Sequence, residues 1–318
     1  MTTYKEIFGK YVKNYSSDPT DDIEGQVWYN STTGVFKTNV NLGGVWAAGG
    51  NLGTARYGLF GAGTQTVGLG FSGYIAGSGN SNATEEYDGS AWTGGGNLGT
   101  ARRYGGSAGT QTAGLGFGGF TTANSNATEE YDGSAWTGGG NLGTARRALA
   151  GCGTQTVGLA FGGFTTTNVA NTEEYDGSSW TAGGNLGTAR RYLAGAGTQT
   201  VGLAFGGDTP TVQSATEEYD GSAWTSGGNL NTARSSLAGC GTQTAGLGFG
   251  GATTVSVTNT EEYNGTSWTS GGNLTTARSL LGGAGTQTAG LAFGGYTQTA
   301  VTEEYTDPSF STKTITTS

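Results

Sequence analysis

The chain has 318 residues, of which 65 are Gly, 2 are Cys and none is His, and its formal net charge is −9. The absence of His excludes Ser-His-Asp triads, Cys-His dyads and imidazole metal sites, and two Cys cannot build a disulfide framework or an all-cysteine zinc site. The acidic balance argues against nucleic acid as a partner, because affinity for nucleic acid depends largely on Lys and Arg that neutralise phosphates.

The N-terminal segment, residues 1–43, lies outside the repeat that fills the rest of the chain. Val27–Tyr29 and Val35–Lys37 flank an Asn-Ser-Thr-Thr-Gly turn, which predicts a β-hairpin. Before it, three Lys alternate with apolar side chains between residues 5 and 13. This partly amphipathic run would either dock on a neighbouring subunit or cap the rest of the chain. No run is apolar for long enough to predict a signal peptide or a membrane span.

A repeat of 44 residues fills the chain from about residue 46 to residue 310. A Trp and a Thr-Glu-Glu-Tyr string recur with this step, and so does the string GTQT. The GTQT strings begin at Gly63, Gly109, Gly153, Gly197, Gly241 and Gly285. The first spacing is 46 residues and the other four are 44. Such a period is typical either of helical repeats or of four-stranded propeller blades.

The inside of one copy decides between these two alternatives. In TVGLAFGG, the bulky residues Val157, Leu159 and Phe161 alternate with small ones, which predicts a strand with one bulky and one nearly flat face. An Asp-Gly pair before the Trp in four copies, and Asn264-Gly265 before Trp268, are typical of a tight hairpin, because Gly supplies positive φ. A helix is excluded because Gly recurs every few residues, at a cost of about 1 kcal/mol each relative to Ala. Each copy is therefore predicted to form four short antiparallel strands.

Six such units cannot bury their own faces and are expected to pack around an axis as a β-propeller. Five copies have a double Gly after a hydrophobic strand, and the first has Ser72-Gly73 there. Tyr, Trp and Arg follow in order, and in this the repeat resembles the kelch motif. The resemblance implies that the strand before the double Gly is second in its blade and that the Trp strand is outermost. We predict an all-β, six-bladed β-propeller of four-stranded antiparallel blades, with a short N-terminal β-hairpin extension.

The order of the copies also predicts how the ring closes. Trp46 precedes the first copy and has no blade of its own, so the strand around it is expected to complete the sixth blade. Phe310 is the alternative, because its distance from the last Tyr of the repeat matches that of the Trp in other copies. The predicted domains are an attachment segment 1–43, a propeller 44–310 and a C-terminal tail 311–318.

Six Arg and six Glu pairs occupy fixed positions of the repeat. One hypothesis is a charged ring that binds an ion or an anionic ligand; the favoured one is a cyclic set of structural salt bridges that positions neighbouring blades. The predicted members are Arg56, Arg102, Arg146, Arg190, Arg234 and Arg278 with Glu86, Glu130, Glu174, Glu218, Glu262 and Glu304. A second Arg follows in three copies only, at Arg103, Arg147 and Arg191, and a basic patch is not expected there.

Other repeated features have both a structural and a functional interpretation. The Trp set would be a carbohydrate-stacking belt or, as we favour, the apolar anchors of the blades. The GTQT ring would contact a partner or serve only as a hairpin turn. Cys152 and Cys240 are interpreted as small fillers without a redox role. Adjacent Glu point to opposite faces of a strand, and the Asp-Gly-Ser turns have too few ligands for calcium, so no catalytic or metal site is predicted.

The loop after the double Gly differs most from copy to copy, while the flanking strands barely change. Loops on a rigid scaffold commonly carry recognition. The alternative is drift of a surface that packs against nothing. The candidate binding face consists of Tyr74, Phe120, Phe164, Asp208, Ala252 and Tyr296 with the Thr and Asn residues that follow them.

Residues 24–40, EGQVWYNSTTGVFKTNV, are similar to a module of virion structural and tail-fibre proteins of tailed bacteriophages, especially marine ones, where it precedes Gly/Thr-rich repeats. The resemblance implies that residues 1–43 attach the chain to other virion proteins, with the propeller displayed outward. We expect a non-enzymatic virion structural protein without cofactors, oligomeric within the particle, that recognises a host-surface glycan or protein. The alternative is a cytosolic kelch-type scaffold for protein–protein interaction.

Overall fold

The computed structural model describes residues 12–19, 26–40, 43–307 and 311–315. All regular elements in these ranges are β-strands, and no helix that could cross a membrane occurs among them. The chain divides into two compact units. The smaller comprises residues 1–44 and 307–318, and the larger comprises Val45–Thr306.

The smaller unit contains one four-stranded sheet. Val27–Asn30 pairs antiparallel with Val35–Val40, which confirms the predicted hairpin. Lys13–Tyr15 runs parallel to the first of these strands, and Ser311–Thr314 runs antiparallel to the second. The C-terminal residues, which the sequence predicts to be a tail, therefore contribute a strand to the N-terminal sheet.

Asp18 is the polar centre of this small sheet. Its carboxylate accepts hydrogen bonds from Nε1 of Trp28 at 3.3 Å, Nδ2 of Asn30 at 2.7 Å and Nζ of Lys37 at 2.7 Å. The Lys37 and Asn30 contacts lower the pKa of Asp18 from its ordinary value, since both favour the ionised form. Trp28 is fully buried. The side chains of Trp28 and Lys37, on the two strands of the hairpin, are thus joined through the carboxylate of Asp18.

The larger unit contains six four-stranded antiparallel sheets, here numbered 1 to 6 in the order of their copies. The first strands are Phe60–Gly63, Gly106–Gly109, Ala150–Gly153, Ala194–Gly197, Ala238–Thr242 and Gly282–Gly285. The second strands are Gly68–Phe71, Gly114–Phe117, Gly158–Phe161, Gly202–Phe205, Ala245–Phe249 and Ala289–Phe293. The third strands are Thr84–Tyr87, Thr128–Tyr131, Thr172–Tyr175, Thr216–Tyr219, Thr260–Tyr263 and Thr302–Thr306. The fourth strands are Trp92–Gly94, Trp136–Gly138, Trp180–Ala182, Trp224–Ser226, Trp268–Ser270 and, for sheet 6, Val45–Ala48. This repeated sheet agrees with a propeller-like repeat.

The fourth strand of sheet 6 comes from the beginning of the repeat region. Val45–Ala48 pairs antiparallel with Thr302–Thr306, and Trp46 lies opposite Tyr305. The alternative candidate for this strand, Phe310, lies outside the described residues. The two ends of the repeat region thus meet in one sheet.

The Gly-rich side of each second strand receives bulky side chains from the neighbouring sheet. A Cβ atom placed on Gly114 would lie 2.7 Å from Cδ2 of Leu69, and one on Gly116 would lie 2.7 Å from Cε2 of Phe71. Both partners belong to sheet 1 and are fully buried. The bulky face of one sheet therefore packs on the flat face of the next, as predicted. Val157 differs from the prediction, because it precedes its strand and is 44% exposed.

The Trp of each fourth strand fastens its sheet to the preceding one. Nε1 of Trp136 donates to Oγ1 of Thr84 at 2.9 Å, and the ring centres of Trp136 and Phe71 lie 4.6 Å apart. Between sheets 1 and 6 the same hydrogen bond joins Trp92 to Thr302 at 2.9 Å. With both the ring and the indole N–H engaged between sheets, the Trp set acts as structural anchors, which is the favoured interpretation.

The Gln of each GTQT turn also joins neighbouring sheets. Nε2 of Gln111 donates to the carbonyl oxygens of Gly68 at 3.0 Å and Tyr87 at 2.8 Å, both in sheet 1. The other five are Gln65, Gln155, Gln199, Gln243 and Gln287. The turn repeats without change because its amide has a fixed structural contact, so its Gln is not a free contact for an outside partner.

Candidate binding face

The six repeated Arg form buried ion pairs inside the larger unit. Each Arg side chain is 0% exposed, and each pairs with the first Glu of a Thr-Glu-Glu-Tyr string. The pairs are Arg56–Glu85, Arg102–Glu129, Arg146–Glu173, Arg190–Glu217, Arg234–Glu261 and Arg278–Glu303. The predicted partners were the second Glu of each string, and this prediction is wrong for Glu86, Glu130, Glu174, Glu218, Glu262 and Glu304. Because the Arg are buried, they offer no accessible ring for a ligand.

Strand geometry explains the exchange of partners. Adjacent residues of a strand point to opposite faces. Glu85 lies opposite Gly70, whose carbonyl oxygen accepts from Nη2 of Arg56 at 3.3 Å, so the first Glu and the Arg share one side of the sheet. The second Glu points the other way, and Glu86 accepts from the hydroxyl of Tyr131 at 2.5 Å. The Arg–Glu pairs thus act within a sheet, and the Tyr–Glu bonds act between sheets.

Each sheet presents two kinds of connection at one end. Antiparallel neighbours place alternate connections at opposite ends, so the variable second-to-third loops and the fourth-to-first connections share an end. We call this end the variable-loop face. There each candidate residue is bridged through the backbone to a residue of the fourth-to-first connection. The bridged pairs are Tyr57–Tyr74, Arg103–Phe120, Arg147–Phe164, Arg191–Asp208, Ser235–Ala252 and Ser279–Tyr296.

The bridges bring the three second Arg of the doubled pairs into line with the aromatic candidates. The guanidinium carbon of Arg103 lies 4.4 Å from the ring centre of Tyr74 and 5.3 Å from that of Phe120. The guanidinium carbon of Arg147 lies 4.8 Å from the ring centre of Phe120 and 4.9 Å from that of Phe164. Each of these cations therefore lies between two rings from successive copies, within the range of cation–π attraction.

The series continues at both ends. The guanidinium carbon of Arg191 lies 4.8 Å from the ring centre of Phe164, and Nη2 of Arg191 pairs with Asp208 at 3.2 Å. At the other end Tyr57 occupies the Arg position of copy one, and its ring lies 5.5 Å from that of Tyr296, which is 51% exposed. We call the alternating set the cation–π arc. Its members are Tyr74, Arg103, Phe120, Arg147, Phe164, Arg191 and Asp208.

Asn side chains accept hydrogen bonds from two of the Arg in the arc. Nη1 of Arg147 donates to Oδ1 of Asn124 at 2.9 Å, and an equivalent contact occurs in copy two. In the next copy Arg191 turns to Asp208 instead, and Oδ1 of Asn168 is buried without a hydrogen-bond partner among the described residues. Copies five and six have small residues at the Arg position. The arc is thus confined to one side of the face, and the predicted Ala252 lies outside it.

Charge is divided between the two ends of the sheets. Residues 45–306, all of them described, contain nine Arg and no Lys. Six of these Arg are buried in ion pairs, so the three in the arc are the cations accessible on this unit. The opposite end carries the exposed carboxylates of Asp88, Asp132, Asp176 and Asp220. The accessible cations of this unit therefore lie on the variable-loop face, and these exposed carboxylates lie at the opposite end.

A ring of backbone hydrogen bonds fills the centre of this face. Its members follow directly on the Arg positions, have positive φ, and are Gly58, Tyr104, Ala148, Tyr192, Ser236 and Leu280. Each N–H donates to the carbonyl oxygen of the equivalent residue in the preceding copy, and Gly58 donates to Leu280 at 2.8 Å. The rings of Tyr104 and Tyr192 meet edge to face with centres 5.7 Å apart, and burial raises the pKa of Tyr104 to about 12. Backbone and two Tyr thus narrow the centre of the face to a small cavity, which the ring residues line together with the Leu that follow them.

The described residues contain no group of three or more His, Cys, Asp or Glu that could hold a metal ion. Sγ of Cys152 donates to the carbonyl oxygen of Thr198 at 3.4 Å, and Cys240 has an equivalent contact. Burial raises the pKa of Cys152 to about 12, which opposes formation of a nucleophilic thiolate.

No family model matches the sequence, and no curated protein is significantly similar to it.

The aromatic residues predicted from the sequence become part of a candidate site because the structure places Arg side chains between them. The sequence alone does not predict a basic patch at these Arg, because only three copies carry them. The available signal was that the doubled Arg occur in consecutive copies and alternate with Phe120 and Phe164.

Proposed function

We propose that residues 45–306 form a closed six-bladed β-propeller and that the protein is a binding protein, not an enzyme, which recognises its ligand through the variable-loop face. The observation that carries this proposal is the cation–π arc. It gathers all accessible cations of the larger unit on the one face where the copies diverge. The repeated Arg and first Glu are engaged within each sheet, and the repeated Trp, Gln and second Glu are engaged between sheets, so these side chains are occupied by the fold.

Closure of the ring is supported by contacts between the first and last sheets that copy those between consecutive sheets. These contacts are Trp92–Thr302, Gln65–Tyr305, Tyr87–Glu304 and Gly58–Leu280. Four different kinds of contact thus recur where sequence neighbours are absent. A closed ring leaves no unpaired sheet face at the seam and provides a rigid support for the loops.

The role of the variable loops is tested by measuring how labelled protein binds to host cells, that is, the cells infected by the phage particles proposed below to contain this chain. Labelled protein should bind these cells, and replacing the other five variable loops with the copy-five loop, Ala252–Asn259, should abolish binding while thermal unfolding stays nearly unchanged. The copy-five loop is chosen because it lacks both aromatic and charged side chains. Unaltered binding by this variant would refute recognition by the variable-loop face.

We also propose that the chain is a virion structural protein, a fibre, tail or capsid-surface component, attached to other virion proteins through residues 1–43. The support is the similarity of residues 24–40 to the phage module and the compact sheet that this segment forms. Mass spectrometry of purified particles should detect the protein in stoichiometric amounts. Its absence from every particle fraction would reject this location and favour the alternative, a kelch-type interaction scaffold.

A further inference from the structure

We infer that the cation–π arc binds a chain of carboxylated sugars, that is, a linear polyuronate; this inference rests on recognition by the variable-loop face. Arg103, Arg147 and Arg191 occupy the same repeat position in three consecutive copies. A polymer with one carboxylate on each sugar ring presents a row of anions to this row of cations. The aromatic rings between the Arg supply apolar surface against which sugar rings can pack.

The guanidinium of Arg147 lies between two aromatic rings and has more N–H donors than it uses within the described part of the chain. Phe120 and Phe164 lie on either side of Arg147, and among the described residues its guanidinium donates one hydrogen bond, to Asn124. The remaining N–H groups of the planar fork are left for a ligand. A carboxylate fits this fork with two parallel hydrogen bonds, which a hydroxyl or an amide cannot match in strength.

Asp208 is a carboxylate of the protein itself that binds one Arg of the arc through two hydrogen bonds. Its Oδ2 accepts from Nε of Arg191 at 3.3 Å and from Nη2 at 3.2 Å. This carboxylate belongs to the protein and stands where copies two and three have Phe120 and Phe164. It therefore occupies the third Arg and competes with any ligand carboxylate for it. Removing the charge of Asp208 should free that Arg and strengthen the binding of an anionic ligand.

The surroundings favour a sugar over an acidic peptide. Protein partners are usually anchored by a large apolar side chain that enters a desolvated pocket. Here the centre of the face has only a small cavity, which the backbone ring narrows and which Tyr104 and Tyr192 line. The loops beside the arc carry several Thr and Asn side chains, including the exposed Thr122 and Thr166. Hydroxyl and amide groups around a row of cations suit the hydroxyl groups of a sugar chain.

The test is calorimetric titration of the full-length protein with a hexamer of galacturonic acid. The Arg147→Gln variant should bind about tenfold more weakly or worse, because a charge-assisted hydrogen bond contributes about 1.5–3 kcal/mol. The matched control is Ser235→Gln, which places the same side chain at the same repeat position outside the arc and should change affinity less than about twofold. The Asp208→Asn variant should bind several-fold more tightly, a gain that misfolding cannot produce.

Competition experiments give the outcomes that overturn the inference. A hexamer of galactose that binds as tightly would show that the carboxylates are not read, and a hexamer of glutamate that binds as tightly would favour an acidic peptide. Failure of the galacturonate hexamer to bind, while loop-dependent binding to cells persists, would reject the sugar class and leave the proposed recognition function in place. If the galacturonate hexamer does not bind and binding to cells does not depend on the loops, both the polyuronate ligand and recognition by the variable-loop face are rejected.

Discussion

The guanidinium of Arg278 lies 2.8 Å from the carboxylate of Glu303, and the exposed fraction of either side chain is at most 1%. The same carboxylate accepts from the backbone N–H of Thr275 at 2.7 Å and from its hydroxyl at 2.6 Å. Thr275 belongs to the connection that enters sheet 6. The ion pair therefore fastens that connection to the third strand of the sheet, which explains why Arg and Glu recur together in every copy.

Arg278→Met should lower the free energy of unfolding by about 3–5 kcal/mol, because it leaves the carboxylate of Glu303 buried without its cation. Chemical denaturation measures this effect. The control is Arg191→Met, which breaks the partly exposed pair with Asp208 and should cost at most about 1 kcal/mol. Equal losses in the two variants would contradict the structural role assigned to the buried pairs.

Gln155→Leu should lower the free energy of unfolding by about 1–3 kcal/mol, because two carbonyl oxygens lose their donor. Nε2 of Gln155 donates to Gly114 at 3.2 Å and to Tyr131 at 2.6 Å, across the contact between sheets 2 and 3. Thr156→Ser, in the same turn at an exposed position, is the control and should change stability little. If both variants unfold at the same denaturant concentration as the parent protein, the GTQT turn has no such role.

The strands can be predicted from the sequence, whereas contacts between positions far apart in the chain cannot. Alternation in TVGLAFGG predicts a two-faced strand because the side-chain period is a local property. The choice between Glu85 and Glu86 depends on register, since only the pairing of Glu85 with Gly70 places it beside Arg56. No local pattern contains that information.

The arc was missed for a similar reason. Arg103 and Phe120 are 17 positions apart and meet through a single backbone bridge. The contact of Arg147 with Phe120 joins different copies. In the sequence alone, the second Arg of copies two to four is an irregularity of the repeat. Only after the loops are folded against each other does the irregularity become a row of cations separated by rings.

Gly140→Ala should be strongly destabilising, whereas Gly138→Ala, two residues earlier, should be neutral or slightly stabilising. A Cβ atom on Gly140 would lie 2.0 Å from the carbonyl oxygen of Ser178, which is backbone and cannot rotate away. A Cβ atom on Gly138 meets nothing within 4 Å. Overpacking costs about 1–3 kcal/mol or more, and thermal unfolding of the two variants measures the difference. Similar melting temperatures would contradict the close approach of the connection to the next sheet.

Stability should fall as the pH rises from about 10 to about 12, because Tyr hydroxyls buried between sheets resist ionisation. Burial, followed by the hydrogen bond to Glu130, raises the pKa of Tyr175 to about 12. An unfolded Tyr ionises near pH 10, so the neutral form stabilises the fold fully below that pH. Tyr87, Tyr131, Tyr219 and Tyr263 have pKa values raised to about 12 in the same way.

Denaturant unfolding at a series of pH values from 8 to 12 measures this dependence, and phenolate absorbance shows whether the Tyr ionise as the sheets separate. Tyr175→Phe should lose stability at pH 8, since Glu130 loses its donor. The same variant should show a shallower decline above pH 10, because one fewer buried hydroxyl is coupled to unfolding. A decline as steep as that of the parent protein would show that the hydroxyl between the sheets does not govern the alkaline limit of the fold.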